Sequence, residues 1–221
     1  MLCDAALWRA QIDGLAGVAQ CRVADLTRHD TMGAMAEAAL ADAPPRFAMA
    51  ALSMGGYVAF EVLRRVPGRV ERLALLDTTA RADTPEQTER RCHAIHVAQE
   101  QGFDRVMGLL LPTLLAERHQ SDPTIAGAVK AMAGRVGQAA FLRQQAAIMG
   151  RPDSRALLPQ IAVPALVLCG REDALTPVDR HEEMAAAIPD ADLVVLGGAG
   201  HFTTLERPGA VTAALRAWLE R

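Results

Sequence analysis

Three side chains far apart in the sequence could together carry out nucleophilic chemistry: Ser53, Asp173 and His201. A serine hydroxyl becomes a nucleophile when an imidazole takes its proton, and a carboxylate can orient that imidazole and stabilise its charged form. Each of the three follows a short apolar run that predicts a buried strand, and parallel strands end at one edge of their sheet. The sequence therefore predicts a site for acyl transfer at that edge.

Ser53 lies at a predicted transition from strand to helix. The apolar run Phe47–Leu52 leads directly into Ser-Met-Gly-Gly and then into an amphipathic segment. A tight turn of this kind needs small neighbours, and we expect larger side chains at Ala51 and Gly55 to collide with it. The N–H of Met54 is then placed to donate to an oxyanion. The alternative is a serine that only caps the following helix.

The predicted acid is Asp173, which follows the apolar run Ala165–Gly170. Its position at the carboxyl end of a strand is where ligands of open α/β sheets gather. Glu172 is a weaker candidate, and Asp77, at the end of another predicted strand, is the stronger rival. A structural alternative is that Asp173 only holds its own turn through hydrogen bonds to the backbone.

The predicted base is His201, which follows an apolar run and the four small residues 197–200. An imidazole titrates near neutral pH and can therefore accept a proton from the serine and return it to a leaving group. The alternative is a histidine that caps the last helix. The remaining five histidines lack this setting and are interpreted as surface or capping residues: His29, His93, His96, His119 and His181.

The order serine, aspartate, histidine is the chain order of α/β-hydrolases. From Cys21 to the C-terminus the sequence resembles that superfamily, in particular small members with a helical cap such as carboxylesterases and 3-oxoadipate enol-lactonases. The resemblance implies a serine hydrolase that cleaves a small carboxylic ester or lactone through an acyl-enzyme, without metal or organic cofactor. The matching segments are residues 52–56, 73–78, 164–173, Thr176-Pro177, Gly200-His201, Glu206 and Pro208, the last two interpreted as the start of the final helix.

The fold that must position these residues is of the α/β class, a mostly parallel sheet flanked by helices. Residues 1–83 and 156–221 are predicted to form the core, and residues 84–155, which contain no strand pattern, a helical cap inserted into it. The predicted strands cover residues 21–25, 47–52, 73–77, 165–170 and 193–196. The predicted helices cover residues 6–17, 32–43, 54–66, 180–187 and 208–220.

The N-terminal segment departs from the family pattern. Members begin with a strand whose following loop supplies a second oxyanion N–H, but residues 1–8 resemble only the loop and helix after that strand. We therefore expect residues upstream of Met1 to be absent from this sequence, or the sheet to be completed unusually, for example by a neighbour. By alignment, the second donor is the N–H of Met1 or Leu2.

The composition of the chain indicates which classes of binding partner to expect. The net charge is −3 and no basic stripe with aromatic residues occurs, so a small molecule rather than a nucleic acid is the expected partner. No apolar run has the length of a membrane span, which favours a cytoplasmic protein. The four cysteines show no metal-ligand spacing, and Cys21 and Cys169 lie in runs interpreted as buried strands. The sequence carries no signal for an oligomeric state.

Other functions are compatible with the same residues. The fold also hosts C–C bond hydrolases, lyases and perhydrolases, and a non-catalytic binding protein is a further alternative. Arg143 and Arg151 could contact a substrate carboxylate, although we favour solvated surface arginines for both.

Overall fold

The core of the molecule is a sheet of four parallel strands. The computed structural model describes all 221 residues and contains β1 (Phe47–Leu52), β2 (Val70–Leu76), β3 (Ala165–Gly170) and β4 (Ala191–Leu196). They lie in the order β1-β2-β3-β4, and each is parallel to its neighbour. All four therefore end at the same edge of the sheet. Four of the five predicted strands are confirmed, with β2 and β4 beginning a few residues earlier than predicted.

Helices cover both faces of the two central strands, which explains why β3 and the second half of β2 are apolar and buried. In β2, Leu73 and Leu75 point into one hydrophobic cluster, while Ala74 and Leu76 point into the other. The first cluster includes residues of α2 (Met32–Ala41), α3 (Met54–Arg65) and α8 (Val178–Ala187). The second includes residues of α1 (Arg9–Leu15) and α10 (Pro208–Glu220). The five helices predicted for the core are thus confirmed, with ends that differ by a few residues.

Four further helices lie between β2 and β3: α4 (Pro85–Glu100), α5 (Asp104–Leu114), α6 (Glu117–Gln120) and α7 (Pro123–Met149). Thr84 begins α4 with a capping box to Gln87, and Asp122 caps α7 by accepting from two backbone N–H groups. Gly137, with φ 77°, interrupts α7. No helix in the protein combines the length and the apolarity that crossing a bilayer would need. Residues 84–155 contain these four helices and no strand, and their role as a cap stays a prediction.

The strand predicted for residues 21–25 is wrong. These residues form no ladder with any strand, and all five are exposed, Val23 by 40%. A strand needs a partner for its backbone groups, and β1 pairs only with β2. Cys21 is consequently exposed, whereas Cys169 in β3 is buried as predicted.

A buried ion cluster holds the two ends of the helical insertion. The Asp83 carboxylate, just before α4, lies 2.6 Å from Nε of Arg91 and 2.8 Å from a terminal guanidinium nitrogen of Arg151, just after α7. The Arg151 guanidinium also lies 4.2 Å from the centre of the Tyr57 ring. The interpretation of Arg151 as a solvated arginine is therefore wrong, because its side chain is 3% exposed.

Candidate active site

Ser53 occupies a strained turn between β1 and α3. Its φ of 54° and ψ of −118° lie in a region that non-glycine residues rarely adopt. The turn is held by the Ser53 N–H, which donates to the Leu76 carbonyl at 2.9 Å, and by the Gly56 N–H, which donates to the Ser53 carbonyl at 2.9 Å. The Ser53 side chain makes no capping hydrogen bond to α3. The alternative of a helix-capping serine is therefore wrong.

The crowded glycine of this turn is Gly56. A Cβ at Gly56 would lie 2.4 Å from Oγ1 of Thr78, which itself donates to the Ser53 carbonyl. A Cβ at Gly55 would meet only Cβ of Ala51, at an ordinary 3.7 Å. The expectation that a larger residue at Gly55 would collide is therefore wrong for an added methyl group, and the constraint lies one residue further along.

The three predicted side chains meet at the carboxyl edge of the sheet. Nε2 of His201 lies 2.7 Å from Oγ of Ser53, and Nδ1 of His201 lies 2.8 Å from Oδ2 of Asp173. His201 and Asp173 are buried, while Ser53 is half-buried. Hydroxyl, imidazole and carboxylate thus form one continuous row of hydrogen-bond distances. This row is the arrangement that proton transfer from a serine requires.

Four hydrogen bonds saturate the Asp173 carboxylate. Oδ1 accepts from the N–H of Leu175 and of Thr176, and Oδ2 accepts from the Thr176 hydroxyl besides facing His201. Burial by itself would raise the pKa of Asp173, but the His201 charge and these hydrogen bonds outweigh it and place the pKa below its ordinary value. Asp173 is therefore favoured as an ionised group facing the imidazole.

The two rival carboxylates contact other groups. Asp77 is fully buried and accepts from the N–H of Gly170 and from the Thr203 hydroxyl. Burial, with the charge of Asp173, raises the pKa of Asp77 well above its usual value. Glu172 accepts from Arg118 and from the N–H of Gly198. Neither makes a hydrogen bond to His201, so the arrangement favours Asp173 as the acid.

The predicted oxyanion donors differ in their surroundings. Met54 is the first residue of α3. The N–H groups in the first turn of a helix have no acceptor within that helix, so the Met54 N–H can donate to another group. The N–H of Leu2 donates to Oε1 of Gln144 at 2.9 Å, and Leu2 itself has φ 57°. Burial lowers the pKa of the Met1 amino group. The Met54 donor fits its predicted role, and the role of Met1 or Leu2 stays a prediction.

Sequence reasoning missed two buried groups near the site. His181, interpreted as a surface or capping residue, is fully buried, and its Nε2 accepts the N–H of Thr78 at 3.0 Å. Burial lowers the pKa of His181 to about 4. Glu206, interpreted as a helix-starting acid, instead directs its carboxylate to the N–H groups of Gly200 and Phe202 on either side of His201. Its position five residues after the histidine was the only signal.

Comparison with known proteins gives the family. The sequence matches the alpha/beta hydrolase family over residues 8–215. The chain belongs to this family. A thermophilic esterase from Thermogutta terrifontis, solved with malate bound, is 31% identical, with a TM-score of 0.88, over 99% of this chain and 86% of that one. The α/β-hydrolase fold class predicted from the sequence is thereby confirmed.

Two further relatives of this alpha/beta hydrolase are similar over most of their length. An enol-lactonase from Burkholderia xenovorans has a TM-score of 0.86 and 26% identity, covering 100% of this chain and 88% of that one. A pimeloyl-[acyl-carrier protein] methyl ester esterase from Nitrosomonas europaea is 25% identical over 233 residues, covering 91% of this chain and 86% of that protein. The predicted resemblance to carboxylesterases and enol-lactonases is confirmed.

Proposed function

We propose that this protein is a serine hydrolase that cleaves a small carboxylic ester or lactone through an acyl-enzyme. The observation that supports it most directly is the unbroken row of hydrogen-bond distances from Ser53 through His201 to Asp173. Its similarity to named esterases and an enol-lactonase supports ester bonds as the target. The proposed reaction uses side chains and backbone N–H groups of the protein, together with water.

In the first half-reaction, Nε2 of His201 takes the Ser53 proton while the serine oxygen attacks the substrate carbonyl. Asp173 fixes the imidazole tautomer that leaves Nε2 free to accept, and stabilises the imidazolium that forms. The tetrahedral intermediate collapses when His201 returns the proton to the alcohol leaving group. Water activated by the same imidazole then attacks the acyl-enzyme, and Ser53 recovers its proton.

The negative charge on the carbonyl oxygen needs donors in place before the reaction begins. The Met54 N–H supplies one, aided by the positive end of α3. We assign the second to the N-terminal loop, through Met1 or Leu2. Leu2 can fill this role only by exchanging Oε1 of Gln144 for the oxyanion, since its N–H is already donated. One lost donor typically costs about 10²–10³ in kcat, so activity through Met54 alone would be slow.

The substrate is proposed to enter between the helical insertion, acting as a cap, and the edge of the sheet. The cap residues pack partly into a hydrophobic cluster shared with the core, including Met107, Leu114 and Phe141. An apolar acyl group suits such surroundings. The relatives' names span a methyl ester and an enol-lactone, so both ester and lactone substrates belong in the test.

The decisive experiment combines a fluorophosphonate probe with a substrate panel. Mass spectrometry after labelling is expected to find the probe on Ser53 in the native protein. Ser53→Ala should abolish labelling, whereas Ser121→Ala, an exposed serine at the end of α6, should not change it. The panel comprises p-nitrophenyl esters of increasing acyl length, a lactone and a vinylogous diketone.

The outcomes separate the alternatives. Hydrolysis of esters or lactones that is lost in Ser53→Ala supports the proposal. Turnover of the diketone alone would replace it with C–C bond hydrolysis on the same residues. Labelling that persists in Ser53→Ala would refute the nucleophile, and a native protein inert to probe and panel would indicate a binding protein.

A further inference from the structure

We propose that Glu206 is a positioning residue that couples the helical insertion to the His201 loop. The proposal depends on the role of His201 in the proposed function. Glu206 is the last residue of α9 (Thr203–Glu206), and its side chain is 0% exposed. A buried carboxylate is costly unless its oxygens are hydrogen-bonded, and here both oxygens are used.

One carboxylate oxygen holds the backbone around His201. Oε1 accepts the N–H of Gly200 at 2.9 Å and the N–H of Phe202 at 3.3 Å. These amides lie immediately before and after His201. Because the three backbone units are consecutive, fixing the outer two restricts the orientation of the imidazole between them.

The other oxygen contacts the insertion. Oε2 accepts the N–H of Ala116 at 2.9 Å and lies 2.8 Å from Nδ1 of His119. Ala116 immediately precedes α6, and His119 lies within α6. One side chain therefore bridges the His201 loop and residues 116–119, and any displacement of one is transmitted to the other.

Direct backbone contact supports the same coupling. The N–H of His201 donates to the Leu114 carbonyl at 3.0 Å. A Cβ at Gly200 would lie 2.6 Å from the Ala116 nitrogen and 2.9 Å from the Leu115 carbonyl carbon. The His201 loop therefore packs against the backbone of the insertion so closely that Gly200 cannot be replaced by a residue with a side chain. Glu206 closes this junction, and its loss should let the imidazole drift from Ser53.

The test measures the rate at which a fluorophosphonate labels Ser53, since that reaction needs the base but not the cap's fit to a substrate. Glu206→Gln retains the shape of the side chain, but its NH2 group would face backbone N–H groups that now donate to the carboxylate. This variant is expected to slow labelling about 10- to 100-fold. His119→Gln, which removes only one contact, should slow it less. Because both variants disrupt one unit, the double variant should be no slower than Glu206→Gln alone.

Ester kinetics provide the readout that a purely structural role would not move. A positioning defect lowers kcat with KM nearly unchanged. Matched controls are Glu220→Gln on α10 and His96→Gln on α4, both exposed, which should label at the native rate. Circular dichroism melts define a temperature at which every variant is folded.

The outcomes are distinct. A folded Glu206→Gln that labels at the native rate overturns the inference while leaving the proposed function intact. If Glu206→Gln does not fold, His119→Gln decides: slower labelling supports the coupling, and native-rate labelling overturns it. Failure of the native protein to label refutes the proposed function itself and removes the basis of the coupling.

Discussion

The N–H of Gly170, the last residue of β3, donates to Oδ1 of Asp77 at 3.1 Å and so ties the ends of two adjacent strands. Asp77 is thereby a structural carboxyl group beside Asp173. Burial raises the pKa of Asp77 well above its usual value, and both of its oxygens accept hydrogen bonds from groups other than His201.

The two carboxyl groups should therefore respond differently to removal of charge. We expect Asp173→Asn to lower kcat by about 10⁴-fold, because the amide stabilises the wrong imidazole tautomer. Asp77→Asn should lower kcat far less, because Asp77 makes no hydrogen bond to His201. Ester hydrolysis by the two purified variants checks this, and a loss confined to Asp77→Asn would reverse the assignment.

Adjacent glycines after Ser53 should differ in their tolerance of a methyl group. Gly56→Ala drives a Cβ into Thr78 and is expected to destabilise the fold by about 1–3 kcal/mol. Gly55→Ala meets only Ala51 and should alter the free energy of unfolding by at most about 1 kcal/mol. Urea denaturation measures both. Equal losses would show that Gly56 is not the constrained position.

His181 should make the protein sensitive to acid. Its pKa is about 4 in the fold against 6.5 for a free histidine, so the unfolded chain binds a proton first as the pH falls. Between pH 6.5 and 4, stability should decrease by up to about 1.4 kcal/mol per pH unit through this residue. His181→Gln should lack that component.

Urea denaturation across pH 4 to 8 separates this effect from general acid sensitivity. We subtract the free energy of unfolding of His181→Gln from that of the native protein. This difference should be constant above pH 7 and decrease as the pH falls below 6.5. His96→Gln, an exposed histidine, serves as the matched control and should follow the native curve. Parallel curves for all three proteins would contradict a neutral buried His181.

The four cysteines should react in two groups. Cys21 and Cys92 are exposed, whereas burial raises the pKa of Cys169 to about 12 and also raises that of Cys3. A short exposure of the native protein to iodoacetamide should modify Cys21 and Cys92 alone, as read by peptide mass spectrometry. The double variant Cys21→Ser, Cys92→Ser should show no rapid modification, and early labelling of Cys169 would contradict the buried strand.

The sequence predicted the four strands that pair with one another. The segment that became β3 is apolar throughout and fully buried, so local pattern and burial agree there, whereas the equally apolar β1 is buried only at Ala51 and Leu52. Residues 21–25 carry a similar local signal and form no strand. Pairing is a property of two segments, and the pattern of one segment alone does not show whether a second segment will pair with it.

The site could be predicted to the extent that it follows from topology. Ser53, Asp173 and His201 each follow a strand, and parallel strands bring their ends together. Glu206 could not be assigned, because its partners Ala116 and His119 lie about 90 positions away in a helical insertion. His181 looked like a surface residue for the same reason, since Thr78 becomes its neighbour only after the chain folds.

The ion cluster at Asp83 gives the insertion a defined boundary. The Asp83 carboxylate forms ion pairs with Arg91, near the start of the insertion, and with Arg151, just after its last helix. The insertion between these residues also reaches the site, because the Leu114 carbonyl accepts the His201 N–H and the Ala116 N–H donates to Glu206. An exchange of the inserted helices that leaves the site intact should therefore retain residues 114–119 as well as Asp83, Arg91 and Arg151.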